Sequence, residues 1–209
     1  LVVIDQAFNW PAKGGASVHV HDVMSRLADH GFEILMLTSR FQYRGKWLTY
    51  WGDRQHRIDH DKLKFKIQVL DQKLTRYSPK RYVEKLRRYV DGFAPDHVFI
   101  GDSYFMKPYL IKGMVDYALI VRFYSYENIC FNYNQWVQRR QNPSPCPYSY
   151  IENPFRCQIC FWRDLSRHDK DLFRFEYFIS GAFAPGYRKK LVSALRNAGK
   201  IIVNNPTIQ

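Results

Sequence analysis

The stretch LVVIDQAFNWPAKGGASVHVHDVMSRLADHGFEILMLT, residues 1–38, decides the fold of this chain. Its apolar run at Leu1–Ile4 predicts a buried strand. Apolar residues at helical spacing over Ser17–His30 predict an amphipathic helix closed by Gly31. The second apolar run, Phe32–Thr38, is continuous rather than alternating, which is typical of a parallel strand covered on both faces. A strand, a helix and a second strand in this order predict a parallel βαβ unit.

The same alternation continues along the rest of the chain. Further strands are predicted at Leu63–Leu70, His97–Ile100, Ala118–Phe123 and Lys200–Val203. Further helices are predicted at Ser78–Gly92, Pro108–Val115 and Tyr187–Ala198. We therefore expect one α/β domain over residues 1–209, a Rossmann-like, doubly wound, mainly parallel sheet with helices on both faces. Two segments interrupt the pattern: a long loop over residues 40–61 and a Cys- and Pro-rich insertion over about residues 141–165.

The composition is that of a globular protein with a large basic excess. Hydrophobic residues make up 46% and charged residues 24% of the 209, which excludes a disordered chain. No apolar run approaches the ~20 residues that span a bilayer. The formal net charge is +13, and residues 40–88 hold fifteen Lys or Arg against five Asp or Glu. These basic residues form either a solvated face or a surface that binds an anionic partner. The candidate partners are a phospholipid head group, a lipid-linked phosphate and nucleic acid.

Two segments supply the residues of this candidate anionic-binding surface. In the loop they are Arg44, Lys46, Trp47 and Trp51, and on the helix that Ser78-Pro79 opens they are Lys80, Arg81, Lys85 and Arg88. The apolar stripe of that helix is predicted to be Tyr82, Val83, Leu86, Tyr89 and Val90. Aromatic side chains at a membrane interface, with Arg and Lys on the head groups, are one interpretation. Aromatic packing over the sheet is the other.

A glycine pair precedes the first predicted helix. Lys13-Gly14-Gly15, with Ser17 following, brings a strand to a helix N-terminus, where backbone N–H groups and the helix dipole can hold a phosphate. A lone Gly-Gly is also an ordinary turn. Neither a GxGxxG fingerprint nor a Walker loop is present, so the sequence does not indicate a dinucleotide site or a P-loop.

Polar residues follow the later predicted strands, at the carboxyl ends where ligands bind in this fold class. The expected cleft residues are Asp102, Ser103, Arg122, Asn204 and Asn205, joined by Tyr124, Ser125 and Glu127 after the fifth strand. Hydroxyls, amides and carboxylates suit a sugar or a diphosphate, although the same residue types occur in ordinary turns. A His on the apolar face of the first helix, which holds His19 and His21, is interpreted as structural.

All four cysteines lie between residues 130 and 160. They are Cys130, Cys146, Cys157 and Cys160, and the last two have a Cys-x-x-Cys spacing. Four thiolates would complete a tetrahedral structural zinc site. A disulfide in an oxidising compartment and free thiols in a Pro-rich loop are the alternatives. In each case the expected role is structural.

The order of several short motifs resembles the N-terminal domain of the retaining glycosyltransferases of family four, which have the two-domain GT-B fold. The matching residues are Lys13-Gly14-Gly15, His19-Val20, Leu27-Ala28, Gly31-Phe32-Glu33, Pro95-Asp96-His97-Val98 and Ala198–Asn205. Phe32 stands where the family usually has His. The family often places a His after the fifth strand, where this chain has Tyr124 or Ser125.

The resemblance implies transfer of a sugar, with retention, from a nucleotide-sugar donor to a glycan or lipid-linked acceptor, as in polysaccharide or glycolipid synthesis. It implies that Lys13, Gly14, Gly15 and Ser17 meet the donor diphosphate and that Tyr124, Ser125 and Glu127 are the catalytic candidates. It implies a further nucleotide-sugar domain that this chain lacks, so the chain alone would be inactive. No metal is required for the chemistry, and the expected location is the cytoplasm, including the inner face of the membrane. The rival interpretations are a basic nucleic-acid-binding α/β domain and a non-catalytic Rossmann-like binding module; no specific nucleic acid is expected.

Overall fold

The computed structural model describes residues 1–12, 14–48, 58–126, 129–131, 136–137, 144–165 and 171–203. Its strands are β1 (Val2–Ile4), β2 (Leu35–Tyr43), β3 (Lys46–Leu48), β4 (Lys66–Lys73), β5 (His97–Ile100), β6 (Ala118–Phe123), β7 (Trp136–Val137), β8 (Ser144–Pro145) and β9 (Lys200–Val203). Its helices are α1 (Gly15–Asp29), α2 (Pro79–Phe93), α3 (Lys107–Gly113), α4 (Pro154–Leu165), α5 (Asp171–Ile179) and α6 (Gly186–Leu195). In this part of the chain, no helix has the length and hydrophobicity needed to cross a membrane.

Six parallel strands form the main sheet in the order β4-β2-β1-β5-β6-β9. Numbered along the chain, these six strands have the order 3-2-1-4-5-6, which is one of the common doubly wound arrangements. The central strand β1 pairs on both sides, with Val3 between Met36 and Phe99. Strand β3 adds an antiparallel hairpin to the end of β2. The predicted α/β fold with a mostly parallel sheet is confirmed, and it is compatible with a Rossmann-like fold.

Helices cover both faces of the sheet because the strand residues alternate between two apolar clusters. Val3 faces α1, where it packs with Val20 and Met24. Val2 and Ile4 face the opposite side, which α2, α3 and α6 cover. Each β1 side chain is fully buried, as expected for a central parallel strand.

Helix α2 follows its sequence signals closely. The Ser78 hydroxyl accepts a hydrogen bond from the Arg81 amide at 3.3 Å, so Ser78 is the N-cap, and Pro79 occupies the first turn. Its buried positions are Tyr82, Leu86 and Val90. The prediction that Tyr89 belongs to the apolar stripe is wrong, since this side chain is 37% exposed.

The predicted loop over residues 40–61 begins as a strand. Strand β2 continues to Tyr43 because β4 pairs with it as far as Gln42 and because Phe41 is buried. The chain then turns through Arg44, whose φ is +48°, into β3. Residues 49–57 lie outside the described part.

The insertion predicted at about residues 141–165 contains a helix rather than only a loop. Helix α4 begins at Pro154, a residue that suits a first turn, and carries the Cys-x-x-Cys pair. Helix α5 was not predicted from the sequence. Its residues Leu172, Glu176 and Tyr177 are buried against the α2–α3 side of the sheet.

We expect Tyr82→Phe to lower the free energy of unfolding by about 1–2 kcal/mol, because removal of the Tyr82 hydroxyl leaves the buried Ser39 hydroxyl without its partner. Tyr82 and Ser39 share a buried hydrogen bond of 2.8 Å between β2 and α2. Urea denaturation measures the change. Tyr89→Phe, on the exposed side of the same helix, is the matched control and should change stability by less than about 0.5 kcal/mol. Equal effects of the two substitutions would contradict the packing described here.

Candidate functional site

In a sheet with this strand order, the ligand-binding crevice is expected at the carboxyl ends of the strands. Helix α1, which follows β1, packs on one face of the sheet. Helix α3, which follows β5, packs on the other face. Neighbouring strands whose helices diverge in this way define a topological switch point, the usual ligand position in open α/β sheets. The side chains that surround this point are therefore the candidate site.

The ends of β1 and β5 are joined by a tight polar contact. The Asp5 carboxylate accepts a hydrogen bond from the Asp102 amide at 3.1 Å, and the Gln6 amide donates to the Asp102 carbonyl at 2.8 Å. A Cβ atom on Gly101 would lie 2.6 Å from the Asp5 Oδ2 atom. Glycine is needed at this position because the buried carboxylate approaches the backbone so closely.

The first turn of α1 opens beside this contact. Gly14 is the N-cap residue, and a Cβ atom on Gly14 or Gly15 would meet no protein atom within 4 Å. Neither glycine is therefore required by packing, and both leave open space at the helix end. The first turn, which includes Ser17, holds no acidic residue. Its free N–H groups and the positive end of the helix dipole are available to an anion.

Arg122 lies against the same helix. Its Nη2 donates a hydrogen bond to His19 Nε2 at 3.0 Å, and its guanidinium stands over the Tyr124 ring at 4.7 Å. Accepting this bond requires a neutral imidazole. Burial and the Arg122 charge both lower the pKa of His19 below its usual value. The crevice therefore combines a cationic Arg122 with a neutral His19.

A buried lysine supports the strand that carries Arg122. Lys107 is 1% exposed, donates a hydrogen bond to the Arg122 carbonyl at 2.6 Å, and holds its ammonium group 4.4 Å from the centre of the Phe123 ring. On the β5 side, the Tyr104 hydroxyl donates to Asp102 at 3.2 Å, and Tyr104 has a φ of +36°. Strained backbone of this kind often occurs at functional edges.

The structure brings several of the predicted site residues to this edge. Tyr124 and Ser125 follow β6 and are half-buried, and Arg122 is the last but one residue of β6. Asp102 and Ser103 are at the edge but buried, at 7% and 0% exposure. The remaining predicted site residues lie outside the described part of the chain; they are Lys13, Glu127, Asn204 and Asn205.

Some members of the site were missed in the sequence. Asp5 and Gln6 directly follow the first buried strand, which was a usable signal for the carboxyl edge. The sequence indicated a structural His at His19 or His21, and it is His21 that packs against the protein, stacked on Trp10 at 3.5 Å. No signal was available for pairing His19 with Arg122, since 103 positions separate them.

The β2–β3 hairpin carries three residues of the predicted anionic-binding surface. Arg44 and Lys46 are exposed, and Trp47 is 37% exposed. The Arg40 guanidinium covers the Trp47 ring at 4.8 Å. Trp51 lies outside the described residues.

The outer face of α2 carries the other four residues, Lys80, Arg81, Lys85 and Arg88. Asp71 lies between this helix and the hairpin: its carboxylate accepts two hydrogen bonds from Arg40, at 2.8 and 3.0 Å, and its carbonyl accepts one from Lys85 at 3.1 Å. Lys80 is 4.0 Å from Glu84. The two basic segments therefore meet, and acidic neighbours offset part of their charge.

The four cysteines gather around α4. The Tyr150 amide donates to the Ile129 carbonyl at 2.8 Å, which ties the Cys130 segment to the turn that enters α4. Burial and the nearby Cys130, Cys146 and Cys160 thiols raise the pKa of Cys157 to about 12. None of these four described residues takes part in a disulfide. Among the described residues, however, no group of three or more His, Cys, Asp or Glu is arranged to hold a metal ion, so the zinc site stays a prediction.

A groove of about 760 Å³ lies between α4 and α6. Its walls are mainly apolar and include Tyr150, Phe155, Phe183 and Tyr187. Every charged side chain that lines it is basic, namely Arg188, Lys189 and Arg196.

Comparison of the chain with protein-family models, with curated proteins and with solved structures gave no match.

Gly101→Ala should lower the free energy of unfolding by about 1–3 kcal/mol, because the added methyl group overpacks the Asp5 carboxylate. Thermal or urea denaturation tests this expectation. Gly92→Ala in α2 is the control, since its Cβ atom would meet nothing within 4 Å. The control should keep or slightly raise stability, by up to about 1 kcal/mol. If Gly101→Ala were equally harmless, the close approach would be refuted.

His19 should titrate below its usual pKa of about 6.5 when its ring signals are followed by NMR. Arg122→Gln should move that midpoint upward but not fully restore it, because burial is the larger cause. The folded protein binds this proton less readily than the unfolded chain, so the His19 contribution to stability declines as the pH falls below about 6.5. A midpoint unchanged by Arg122→Gln would contradict the His19–Arg122 contact.

Cys157 should react with iodoacetamide much more slowly than the exposed Cys160 in chelator-treated protein at pH 8. With its pKa raised to about 12, little Cys157 thiolate exists at that pH. Peptide mass spectrometry resolves the two sites. Equal rates would contradict the burial of Cys157 among its neighbours, which is the larger cause of its raised pKa. The metal content of untreated protein tests the zinc prediction separately.

Proposed function

We propose that this chain is the acceptor-side domain of a glycosyltransferase that uses a nucleotide-sugar donor, with retention of the donor linkage. The observation that carries the proposal is the position of Arg122 beside the first turns of α1, where Gly14 and Gly15 leave open space. The family resemblance of the sequence assigns the same glycine loop to the donor diphosphate.

The α1 side of the crevice suits a departing diphosphate, whereas the buried Asp5 and Asp102 carboxylates lie at the ends of β1 and β5. When the bond between the donor sugar and its phosphate oxygen breaks, negative charge develops on that oxygen. Backbone N–H groups at Gly15 and the next residues, the α1 dipole and the Arg122 guanidinium would stabilise this charge. No acidic residue stands in the first turn of α1 to oppose it. This arrangement stabilises the leaving group with residues of the protein itself, and no metal is assigned to the chemistry.

The acceptor would approach from the β5–β6 side of the same edge. Its hydroxyl oxygen forms the new bond to the sugar carbon, and its proton leaves with the diphosphate. Tyr124 and Ser125 follow β6, the strand that carries Arg122, and they are the described candidates for contact with the reacting sugar. Glu127, outside the described residues, is the third candidate. We assign none of them as a base.

The remaining features of the proposal come from the resemblance. A second domain would bind the nucleoside and close the crevice, so the present chain would bind a nucleotide sugar weakly and would not turn over alone. The acceptor would be a glycan or a lipid-linked glycan, and the enzyme would act in the cytoplasm or at the inner face of the membrane. The four cysteines would have a structural role only.

Gly15→Ala should lower transfer from the nucleotide sugar by about 10- to 100-fold in the whole gene product, because the methyl group occupies the space of the diphosphate. A panel of nucleotide sugars with product detection by mass spectrometry identifies the donor and provides the assay. Stability should not fall, since Ala favours a helix at this position.

Gly92→Ala is the control, because it is also a helical glycine with open space and lies far from the crevice in sequence. The proposal requires that only Gly15→Ala loses activity. It fails if the whole gene product transfers no sugar from any donor, or if the chain instead binds random oligonucleotides in a salt-dependent manner that Gly15→Ala does not alter.

A further inference from the structure

Six large apolar side chains are exposed on α4, α5, α6 and the turn between α5 and α6. They are Phe155, Ile159, Trp162, Phe178, Phe183 and Val192, and we call them the α4–α6 patch. Phe155 is 77% exposed and Phe178 is 50% exposed. Single exposed apolar residues are common on soluble proteins, but a contiguous group of this kind marks an interaction surface.

The six side chains form one continuous surface. Phe155, Ile159 and Trp162 follow the helical spacing i, i+4 and i+7 along one side of α4. The Trp162 and Phe178 rings are 5.3 Å apart, and the Phe178 and Phe183 rings are 6.1 Å apart. The groove continues this surface to α6, because Phe155, Phe183 and Val192 all line it.

Basic residues line the groove side of the α4–α6 patch. Arg188, Lys189 and Arg196 are the charged residues of the groove, and Arg156 and Arg163 are exposed on α4. The sequence from Tyr177 to Gln209 holds five Lys or Arg and no Asp or Glu. The patch therefore combines large aromatic side chains with a positive rim on the α6 side, while Glu152 is an exposed acidic residue just before the start of α4.

We infer that the α4–α6 patch docks on a bilayer that contains anionic lipids. Trp162 and the Phe side chains would lie at the head-group level, while Lys189 and Arg196 pair with lipid phosphates. The positive charge of the rim favours an anionic bilayer over a second copy of the chain. A symmetric dimer through the patch would place one basic rim against another.

This surface differs from the one that the sequence indicated. On the predicted anionic-binding surface of α2 and the β2–β3 hairpin, Lys80 faces Glu84 and Arg40 pairs with Asp71. Lys85 donates to the Asp71 carbonyl. Among the described residues of this surface, acidic groups offset part of the charge, and the exposed aromatic side chains are Tyr43, Trp47 and Tyr89. The inference does not depend on the proposed transferase activity, because it rests on exposure and charge alone.

Flotation of the full chain with vesicles tests this inference. Vesicles of phosphatidylcholine mixed with phosphatidylglycerol should bind the chain, vesicles of phosphatidylcholine alone should bind it much less, and added salt should weaken binding. Phe155→Ser combined with Trp162→Ser should reduce binding at least about tenfold, because two side chains that enter the interface are lost. Phe32→Ser combined with Tyr89→Ser, exposed aromatics elsewhere, should leave binding unchanged.

A second pair of variants separates the two basic surfaces. Lys189→Glu with Arg196→Glu should reduce binding to the mixed vesicles at least about tenfold, whereas Lys80→Glu with Arg81→Glu should have a much smaller effect. Circular dichroism and thermal unfolding confirm that each variant is folded. Wild-type binding by both patch variants would overturn the inference. So would a larger loss in the α2 variant, or a patch variant that changes only the oligomeric state in analytical ultracentrifugation.

Discussion

The approach of the Asp5 carboxylate to the Gly101 backbone is the contact on which the carboxyl edge depends. It joins the ends of β1 and β5, the two strands whose helices diverge to opposite faces of the sheet. Strand β1 has only three residues, and the polar contact continues its pairing with the β5 segment beyond Ile4. The position of the crevice between α1 and β6 follows from this junction.

Contacts with neighbouring residues fix the position of the Arg122 guanidinium at the crevice. Lys107 is buried and donates to the Arg122 carbonyl, which supports the strand from below, while Arg122 itself reaches across to His19 on α1. Because His19 accepts that hydrogen bond, it stays neutral and leaves the guanidinium as the charged group. An anion at the α1 N-terminus would therefore meet a helix end and a pre-positioned Arg122, which is the property that a diphosphate site requires.

Helices and strands are predicted well from the sequence where the hydrophobic pattern and the capping or turn residues indicate the same bounds. The bounds of β5, β6 and β9 are those predicted, because each is a short segment rich in β-branched and aromatic residues. Helix α4 was missed because Pro and Cys suggested a loop, although Pro154 suits a helix start. The His19–Arg122 contact and the exposure of Phe155 were not predictable, since both depend on how distant segments pack. Periodicity identifies an apolar side chain but does not reveal whether another element covers it.

The central claim is that the α1 N-terminus and Arg122 form one anion-binding site. Titration of the isotope-labelled chain with inorganic pyrophosphate, followed by NMR, tests it without assuming a particular nucleoside. We predict weak, saturable shifts of the Gly14 and Gly15 amides and of the His19 ring, and loss of these shifts in Arg122→Gln. Shifts confined to the basic residues of α6, or shifts at the glycines that Arg122→Gln leaves unchanged, would contradict the account.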